Sequence, residues 1–355
     1  MKLPAIEHLE AGNCLTREEA AALMENLLDG RLGTPEIVRL LLALNRRAIR
    51  AEELAGFASA MRRRAAPVFA PGSELPPNLV DTCGTGGDGA NTFNISTAAA
   101  IVAAACGAHV AKHGNRSASS QSGSADVLEA LGVRIDIPLQ QSGRAIREIG
   151  IGFLFAQAAH TATKHATPAR KEIGVRTIFN LLGPLTNPAG APAQVLGVNS
   201  DQVLGPMAEA LLDLGVSRAF VVHGAGGLDE ISLAGETQVA EVRDGKISRY
   251  TVSPETFGVS RAPLEAIAGG SVLQNAAIIS QLFGINATEE SRLPGVQATR
   301  QAIFDIVAVN AGAALVAAGI VDDFLIATRL AQDAIRSGNA REKLAQLISF
   351  SNQLP

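Results

Sequence analysis

A loop made almost entirely of backbone is the first feature of this sequence that could do chemistry. Residues 84–89 read GTGGDG and follow a short apolar run, 79–80, that predicts the end of a strand. Glycine accepts positive φ and lets backbone N–H groups approach a ligand closely, so such a loop can surround phosphate oxygens. Residues 94–97, NIST, then precede an alanine-rich run, and we expect Ser96 or Thr97 to cap a helix whose N–H groups face the loop.

A second predicted strand end carries positive charge and hydroxyl groups. The apolar run 108–111 leads into KHGNR at 112–116 and a polar tract at 117–124. In open α/β sheets, the carboxyl ends of neighbouring strands form the ligand crevice. A glycine cluster alone is typical of a turn and a basic loop alone is typical of a solvated surface, but their combination predicts a phosphate-rich ligand. The pattern is neither GxxxxGK[ST] nor GxGxxG opening a βαβ unit, which disfavours a P-loop or a dinucleotide site.

Adjacent carboxylates follow a third predicted strand end. The apolar run 219–222 precedes a glycine-rich loop at 224–227, and Asp229 and Glu230 come directly afterwards. Carboxylate oxygens suit Mg²⁺, which usually takes one or two of them together with phosphate oxygens, and Ser96 could add a hydroxyl ligand. Adjacent acids are commonly just exposed. The glycine loop before them and the scarcity of acids in the phosphate loops favour a metal site.

The N-terminal part of the chain is predicted to be helical. A capping box at 16–19 and a Thr-Pro-Glu start at 34–36 each predict a helix, and a third helix is predicted over 51–64. The Pro-rich segment 67–77 predicts a linker. We therefore expect a small helical domain over residues 1–72.

The rest of the chain, 78–355, alternates predicted helices and strands. A short strand is predicted over 133–135, a tight loop over 183–188, and a hairpin with an Asp-Gly turn over 237–252. Such alternation is typical of a large doubly wound α/β domain with a mostly parallel central sheet. A second crossing between the two domains is expected near 173–190.

The overall composition limits the classes of protein to which the chain can belong. The chain has 355 residues, 47% of them hydrophobic, with a net charge of −4 and a pI near 5.9. The acidic balance argues against a nucleic-acid binder or a membrane-surface protein. Cys14, Cys83 and Cys106 are odd in number and lack metal-site spacing, which indicates reduced thiols in a cytoplasmic protein. No signal peptide is evident, and the apolar stretch 306–320 is too short to span a bilayer. The basic run 62–64 is expected to be a solvated helix end.

Three motifs in one order carry a specific resemblance. GTGGD at 84–88, NIST at 94–97 and KHGNR at 112–116 resemble the anthranilate phosphoribosyltransferase family of nucleoside-phosphorylase-like transferases. The resemblance runs from about Thr16 to the last helices. It implies transfer of the 5-phosphoribosyl group from phosphoribosyl diphosphate to anthranilate in tryptophan biosynthesis, giving N-(5-phosphoribosyl)anthranilate and pyrophosphate. It also implies a Mg²⁺ cofactor and a homodimer formed through the helical domain.

The resemblance implies roles for individual residues, none of them a covalent nucleophile. The residues around phosphoribosyl diphosphate would be Gly84, Gly87, Asp88, Thr92, Asn94, Ile95, Ser96, Thr97, Lys112, His113, Gly114, Asn115, Arg116, Ser117, Ala118, Ser119, Ser120 and Ser124. Those around Mg²⁺ would be Ser96, Asp229 and Glu230, and those around anthranilate Gly84, His113, Asn115 and Arg170. The planar Arg170 guanidinium can pair with a carboxylate through two hydrogen bonds, although a surface ion pair with Glu172 is the simpler alternative.

The chemistry of the implied reaction gives His113 a minor role. Breaking the anomeric C–O bond leaves an oxocarbenium-like sugar and a pyrophosphate of growing charge, so catalysis needs positioning and charge neutralisation. An aryl amine is already neutral and nucleophilic near pH 7. We therefore expect His113 to pack against the aromatic substrate rather than act as a general base.

One departure and two alternative functions accompany the resemblance. Ala159, Thr161 and Thr163 stand where the family is expected to have a His-rich stretch with Pro and Met, which bears on the approach or affinity of anthranilate. A pyrimidine-nucleoside phosphorylase would share the two-domain architecture, and a non-enzymatic relative could bind nucleic acid. The GTGGD and KHGNR motifs and Arg170 favour the transferase over the phosphorylase, and the acidic pI and paired carboxylates argue against the binding protein.

Overall fold

Four helices form the N-terminal part of the chain in the computed structural model, which describes residues 4–117, 121–285 and 297–353. They are α1 (Pro4–Glu10), α2 (Arg17–Leu28), α3 (Thr34–Asn45) and α4 (Ala51–Arg64). The capping box before α2 is confirmed: the Thr16 hydroxyl accepts a hydrogen bond from Glu19 N, and the Glu19 carboxylate accepts one from Thr16 N. Helix α1 was not anticipated from the sequence.

A seven-stranded sheet forms the centre of the remaining chain. Its strands are β1 (Leu79–Gly84), β2 (His109–Gly114), β3 (Ile151–Phe155), β4 (Ala193–Gly197), β5 (Arg218–Gly224), β6 (Thr237–Arg243) and β7 (Lys246–Val252), and their order is β3-β2-β1-β4-β5-β6-β7. Strands β1 to β5 pair in parallel, while β6 and β7 continue the sheet in antiparallel fashion. The hairpin between β6 and β7 turns at Asp244 and Gly245, both with positive φ, as the sequence predicts.

The remaining helices of the described residues pack on this sheet or on one another. They are α5 (Ile95–Ala105), α6 (Ser124–Ala130), α7 (Leu139–Ile149), α8 (Ala156–Ala159), α9 (Thr167–Ile173), α10 (Ile178–Leu185), α11 (Asp201–Asp213), α12 (Val272–Leu282), α13 (Gln297–Ala317), α14 (Phe324–Arg336) and α15 (Asn339–Asn352). Helices α5 and α13 pack together in one apolar cluster, and α11 joins α2 to α4 in another. The predicted doubly wound, mostly parallel architecture is confirmed.

Helix α13 has 21 residues and, contrary to the expectation for the apolar stretch 306–320, is long and apolar enough to cross a membrane. However, 83% of its most apolar 18-residue stretch is buried among the surrounding helices. A helix that is hydrophobic on all sides is expected at the centre of a large core. Its composition is therefore explained by packing against α5 and α14.

The segment before β4 returns to the helical bundle. Helices α9 and α10 contact α3, and α10 also contacts α4. Ala169, Ile178 and Leu182 belong to the same apolar cluster as α2 to α4. The contacts lie within the region where a second crossing was expected, while the domain limits 1–72 and 78–355 stay a prediction.

The predicted cap of α5 is wrong. The helix begins at Ile95, so Ser96 and Thr97 lie inside its first turn, and the flanking residue Asn94 makes no side-chain capping bond. The Ser96 N–H instead donates to Glu230 Oε1 at 3.0 Å. A carboxylate from a distant loop therefore replaces the local cap.

The predicted strand at 133–135 is also wrong. Val133 and Ile135 are buried and Arg134 between them is exposed, which reproduces the alternation of a strand. However, the Arg134 N–H donates to Ser351 Oγ at 3.0 Å instead of joining a ladder. Burial alternates here because the segment lies along the surface of the core, so periodicity alone gave the wrong element.

Two smaller expectations also need correction near the end of α10. The predicted loop at 183–188 begins later, because α10 continues through Pro184 to Leu185. Arg62 is partly buried rather than solvated, and it donates hydrogen bonds to the carbonyls of Leu185 at 2.7 Å and Leu214 at 3.3 Å. It thus satisfies the carbonyl ends of α10 and α11. Arg63 and Arg64 are exposed, as expected.

Candidate active site

The predicted loops meet at the point in the sheet where the strand order changes direction, because β2 and β3 lie on one side of β1 and β4 and β5 on the other. Strand β1 lies between β2 and β4, with Gly84 in register with Gly197. The Thr85 N–H donates to Gly197 O at 2.9 Å just beyond the strand ends. In open α/β sheets the ligand crevice lies at such a switch point. The glycine loop at 84–89 therefore lies at the mouth of this crevice.

Two glycines make room for Asp229. A Cβ atom at Gly84 would lie 2.3 Å from Asp229 Oδ2, and one at Gly197 would lie 1.6 Å from the Asp229 carbonyl oxygen. Asp229 Oδ2 accepts a hydrogen bond from the Gly86 N–H at 2.7 Å. The strand ends thus carry glycine because the backbone and side chain of Asp229 pack directly on them.

Glu230 faces the start of α5, next to Asp229. Burial raises the pKa of Glu230 to about 8, and repulsion from Asp229 adds to the effect. Burial also raises the pKa of Asp229 to about 7, with a further contribution from the nearby Asp88 carboxylate. Three carboxylates are therefore gathered around the glycine loop with too little positive charge among the described residues to compensate them.

The donor set of the crevice fits Mg²⁺. Asp229 and Glu230 supply carboxylate oxygens, and Ser96, whose N–H donates to Glu230 and whose Oγ accepts from Lys112, adds a hydroxyl at the start of α5. Within the described ranges, no group of three or more His, Cys, Asp and Glu side chains forms a ready-made metal centre. Mg²⁺ commonly takes one or two carboxylates and completes its shell with waters and substrate phosphate oxygens. The site is of that open kind.

Lys112 places a positive charge at the bottom of the crevice. The side chain is 3% exposed, and its Nζ donates to Thr82 O and, at 3.4 Å, to Ser96 Oγ. Its attraction partly offsets the rise in the pKa of Glu230. A buried ammonium close to hydroxyl and carboxylate groups is suited to hold an anion in the crevice.

The loop after β2 places its arginine against α6. Arg116 forms ion pairs with Asp126 Oδ1 at 3.0 Å and Glu129 Oε2 at 2.7 Å, which raise its pKa. The Ser117 N–H donates to the same Asp126 carboxylate at 3.0 Å. The structure thus puts the Arg116 charge in an exposed ion-pair network and not directly against the glycine loop.

Other predicted residues of the phosphate site fall into three groups. Asn115 Oδ1 accepts from Arg116 N, and a Cβ at Gly114 would lie 2.1 Å from Ser124 Oγ, so this loop packs tightly on the start of α6. Ile95 and Thr97 are 1% exposed, and the Thr97 hydroxyl has no partner within the described residues. The predicted residues Ala118, Ser119 and Ser120 lie outside the described ranges.

Asn94 joins three separate segments at the edge of the crevice. Its Nδ2 donates to Ser122 O at 3.2 Å, while its Oδ1 accepts from Ser122 Oγ and from Asn275 Nδ2, both at 3.1 Å. Nearby, Thr92 forms an isolated bridge with Ala268. The contribution of Asn275 was missed in the sequence because it lies in a C-terminal helix, 181 residues from its partner.

His113 lies on the opposite side of β2 from Lys112. It is 5% exposed, its ring meets that of His160 edge-on at a centroid distance of 5.5 Å, and His160 Nε2 lies 2.9 Å from Thr186 O. Burial lowers the pKa of His113 to about 3, assisted by His160 and Lys112. His113 Nε2 has no hydrogen-bond partner in the described part of the chain.

Arg170 projects from α9 towards α10. Its guanidinium lies 5.3 Å from the centroid of the Phe179 ring, and burial lowers its pKa. Over the described ranges it forms no ion pair with Glu172 or any other carboxylate. The simpler alternative of a surface ion pair is therefore not seen, and the guanidinium keeps its hydrogen-bonding capacity.

The departures at 159, 161 and 163 surround His160. Ala159 is 1% exposed, and its carbonyl accepts from Ala66 N at 3.0 Å. Thr163 Oγ1 donates to His160 O at 2.7 Å. The altered residues thus contribute to a turn that holds the partner of His113.

Two residues that hold the glycine loop were missed in the sequence. Arg176, between α9 and α10, donates to Gly86 O at 2.6 Å and Thr85 O at 3.1 Å. Asn199, after β4, donates from Nδ2 to Gly87 O at 3.2 Å. No motif or spacing connects these residues to a loop so far back in the chain, so no local signal could have identified them.

Two family models match the chain. The model described as "Glycosyl transferase family, helical bundle domain" matches residues 3–65, and that described as "Glycosyl transferase family, a/b domain" matches residues 76–341. Together they cover most of the chain.

Comparison with known proteins of similar length identifies the family more specifically. An anthranilate phosphoribosyltransferase of Hahella chejuensis is 49% identical over 95% of this chain and 94% of its own. The crystal structure of anthranilate phosphoribosyltransferase from Thermus thermophilus matches with a TM-score of 0.87 at 45% identity, covering 99% of this chain and all of that one. The Saccharomyces cerevisiae enzyme in complex with PRPP and Mg matches with a TM-score of 0.85 at 26% identity, over 99% and 98% of the two chains. Since such identity extends over nearly the whole length, the resemblance is confirmed and the chain belongs to the anthranilate phosphoribosyltransferase family.

Proposed function

We propose that the chain carries out the reaction of its family. It transfers the 5-phosphoribosyl group from phosphoribosyl diphosphate to the amine of anthranilate, releasing pyrophosphate, in tryptophan biosynthesis. The observation that carries this proposal is the contact of the glycine loop with Asp229 at the switch point of the sheet. The relatives described above are named anthranilate phosphoribosyltransferases, which favours this reaction over the alternatives.

The crevice would hold phosphoribosyl diphosphate mainly through fixed backbone and charge. The N–H groups of the glycine loop beyond Gly86 would supply donors, since those of Thr85, Gly86 and Ser96 already donate to protein oxygens, and Lys112 supplies a buried positive charge. Such preorganised donors stabilise charge that grows in a transition state without having to reorient. The residues predicted around the phosphates keep these roles as part of the proposal, with Arg116 available only if its ion pairs with α6 open.

The carboxylates would hold Mg²⁺ against the diphosphate. Asp229, Glu230 and the Ser96 hydroxyl are the ligands we propose, supported by their proximity and by the excess of negative charge around the glycine loop. Bound Mg²⁺ would neutralise charge on the leaving pyrophosphate. The relative from Saccharomyces cerevisiae, which was solved in complex with PRPP and Mg, supports this cofactor.

The acceptor would be oriented by its carboxylate. Arg170 offers a planar guanidinium without a carboxylate partner in the described residues, and such a group binds a carboxylate with two hydrogen bonds. Because the aryl amine is neutral near pH 7, no side chain has to remove a proton before attack. His113 is 5% exposed on the side of β2 away from Lys112, so this proposal replaces the expected packing against the aromatic substrate with support of β2.

We infer a cytoplasmic homodimer that associates through the helical bundle. Leu42 on α3 is 39% exposed and offers an apolar contact there. The cysteines Cys14, Cys83 and Cys106 are unpaired, which agrees with a reducing compartment. Sedimentation velocity of the protein and of a Leu42→Glu variant tests the association: the variant should sediment as a monomer, and a wild-type monomer would contradict it.

The proposed reaction is tested by following anthranilate fluorescence. Mixing the protein with anthranilate, phosphoribosyl diphosphate and Mg²⁺ should consume anthranilate and release one pyrophosphate for each anthranilate lost. Omitting any one component should stop the reaction. Anthranilate fluorescence that stays constant with all components present would remove the proposed function.

A further inference from the structure

We propose that Arg176 is a positioning residue for phosphoribosyl transfer: its side chain fixes the glycine loop at 84–89 in the conformation that receives the diphosphate. This inference rests on the proposed function of the crevice. Arg176 lies between α9 and α10, outside every motif that the sequence singles out.

Two hydrogen bonds connect the guanidinium to the loop. Nη1 donates to Gly86 O at 2.6 Å, and Nη2 donates to Thr85 O at 3.1 Å. With both carbonyls turned towards Arg176, the peptide units between them have a fixed orientation. The Gly86 N–H, on the other side of the loop, donates to Asp229 Oδ2. The loop is therefore held between a cation and a carboxylate that is itself proposed to bind the metal.

The guanidinium also packs directly on Gly87. A Cβ at position 87 would lie 1.5 Å from Arg176 Nη1, and the φ of Gly87 is +69°. Position 87 thus needs glycine both for its backbone conformation and for the close approach of the arginine. The two residues therefore fit as a pair.

The charge of Arg176 partly offsets the negative charge of the crevice. Asp229 and Asp88 both favour its charged form, while burial lowers its pKa. A half-buried cation is expensive unless it is paired and hydrogen-bonded. Here the two carbonyls and the two carboxylates provide that compensation, so Arg176 is placed by interactions with the site and not by solvent.

The backbone of Arg176 is fixed from the other side. Asn45, the last residue of α3, donates from Nδ2 to Arg176 O at 2.8 Å. The planar fork of arginine is preorganised for two carbonyl acceptors, whereas a lysine presents a single point charge. We therefore expect that the two functions of the side chain, orientation and charge, can be separated by substitution.

The test compares Arg176→Ala, Arg176→Lys and the control Arg46→Ala. Arg46 is exposed and lines the same cleft between α3 and α10, without a contact to the glycine loop. In Arg176→Ala, the KM for phosphoribosyl diphosphate should rise about 10- to 100-fold, as expected for losing charged hydrogen bonds, with the KM for anthranilate changed less than about threefold. Arg176→Lys should keep most of this defect, and Arg46→Ala should behave as wild type.

Chemical rescue distinguishes positioning from support of the fold. Millimolar guanidinium should lower the KM of Arg176→Ala for phosphoribosyl diphosphate and leave that of Arg46→Ala unchanged, because the free ion can occupy the same position. An unchanged KM for phosphoribosyl diphosphate in Arg176→Ala, or equal increases for both substrates, would overturn the inference. If Arg176→Ala does not fold, the same KM comparison on Arg176→Lys decides. A wild-type protein without turnover would instead remove the proposed function.

Discussion

Gly84 and Asp229 are in contact across the crevice, although 145 positions separate them in the sequence. The end of β1 has no side chain where the Asp229 carboxylate lies, and a Cβ there would come within 2.3 Å of Oδ2. The same carboxylate accepts a hydrogen bond from the Gly86 N–H. The position of the carboxylate that we propose to bind Mg²⁺ is therefore coupled to the shape of the glycine loop.

Substituting Gly84 by alanine should lower kcat strongly, although the change adds only one methyl group. In Gly84→Ala, the added methyl group displaces Asp229, so kcat should fall by about 10²-fold or more, the scale seen when preorganised electrostatic groups are lost. The control is Gly183→Ala in α10, where a Cβ meets no atom within 4 Å. Steady-state kinetics of both variants at saturating Mg²⁺ test this, and a Gly84→Ala enzyme with normal kcat would contradict the coupling.

Replacing both carboxylates should separate activity from stability. Asp229→Asn with Glu230→Gln removes the oxygens proposed to hold Mg²⁺, so most turnover should be lost. Because burial and mutual repulsion disfavour the charged forms here, the double variant should melt at the same temperature as wild type or higher when Mg²⁺ is absent. Calorimetry and turnover at limiting Mg²⁺ are the measurements. Near-normal turnover at limiting Mg²⁺ would exclude these residues as metal ligands.

Arg170 should affect one substrate only. Arg170→Ala should raise the KM for anthranilate about 10- to 100-fold, because it removes a charged hydrogen-bonding partner of the acceptor carboxylate. The KM for phosphoribosyl diphosphate should hardly change. Lys171→Ala, an exposed neighbour on α9, is the matched control. An equal rise in both KM values for Arg170→Ala would mean that its contact with Phe179 supports the fold instead.

Local sequence signals predicted much of the fold but not the contacts that complete the site. The capping box at Thr16, the Asp-Gly turn and the glycine loop depend on neighbouring residues, so their patterns are visible in one sequence. The cap of α5 could not be predicted, because its first-turn N–H is satisfied by Glu230, 134 positions away. Arg176 was missed for the same reason, since its partner Gly86 is 90 positions away.

The segment 133–135 shows the opposite error, since a local pattern predicted an element that does not form. Val133 and Ile135 give the period of a strand, but the segment has no neighbouring strand to pair with in the described sheet. Hydrophobic periodicity reports which side of a segment is covered and not what its backbone hydrogen bonds join. Only the three-dimensional structure distinguishes these two properties.

His113 should make the protein less stable in mild acid without acting as a base. Its pKa in the folded state is lowered to about 3, whereas an unfolded chain titrates near 6.5. Between these values the unfolded state binds more protons, so the free energy of unfolding decreases as pH falls below about 6.5. At pH 5 the loss from His113 alone should be on the order of 2 kcal/mol relative to neutral pH.

Urea unfolding of wild type and His113→Gln at pH 7.5 and pH 5 isolates this contribution. His160, which is also buried with a lowered pKa, is retained in both proteins, so most of its contribution cancels, apart from its contact with His113. The difference in stability between the two proteins should therefore shift in favour of the variant at pH 5. The same proteins should show no change in the pH profile of kcat near 6.5, and kcat of His113→Gln should fall by less than about 10²-fold, below the usual range for a general base. A titration near pH 6.5 that disappears in the variant together with most of its turnover would instead make His113 the base.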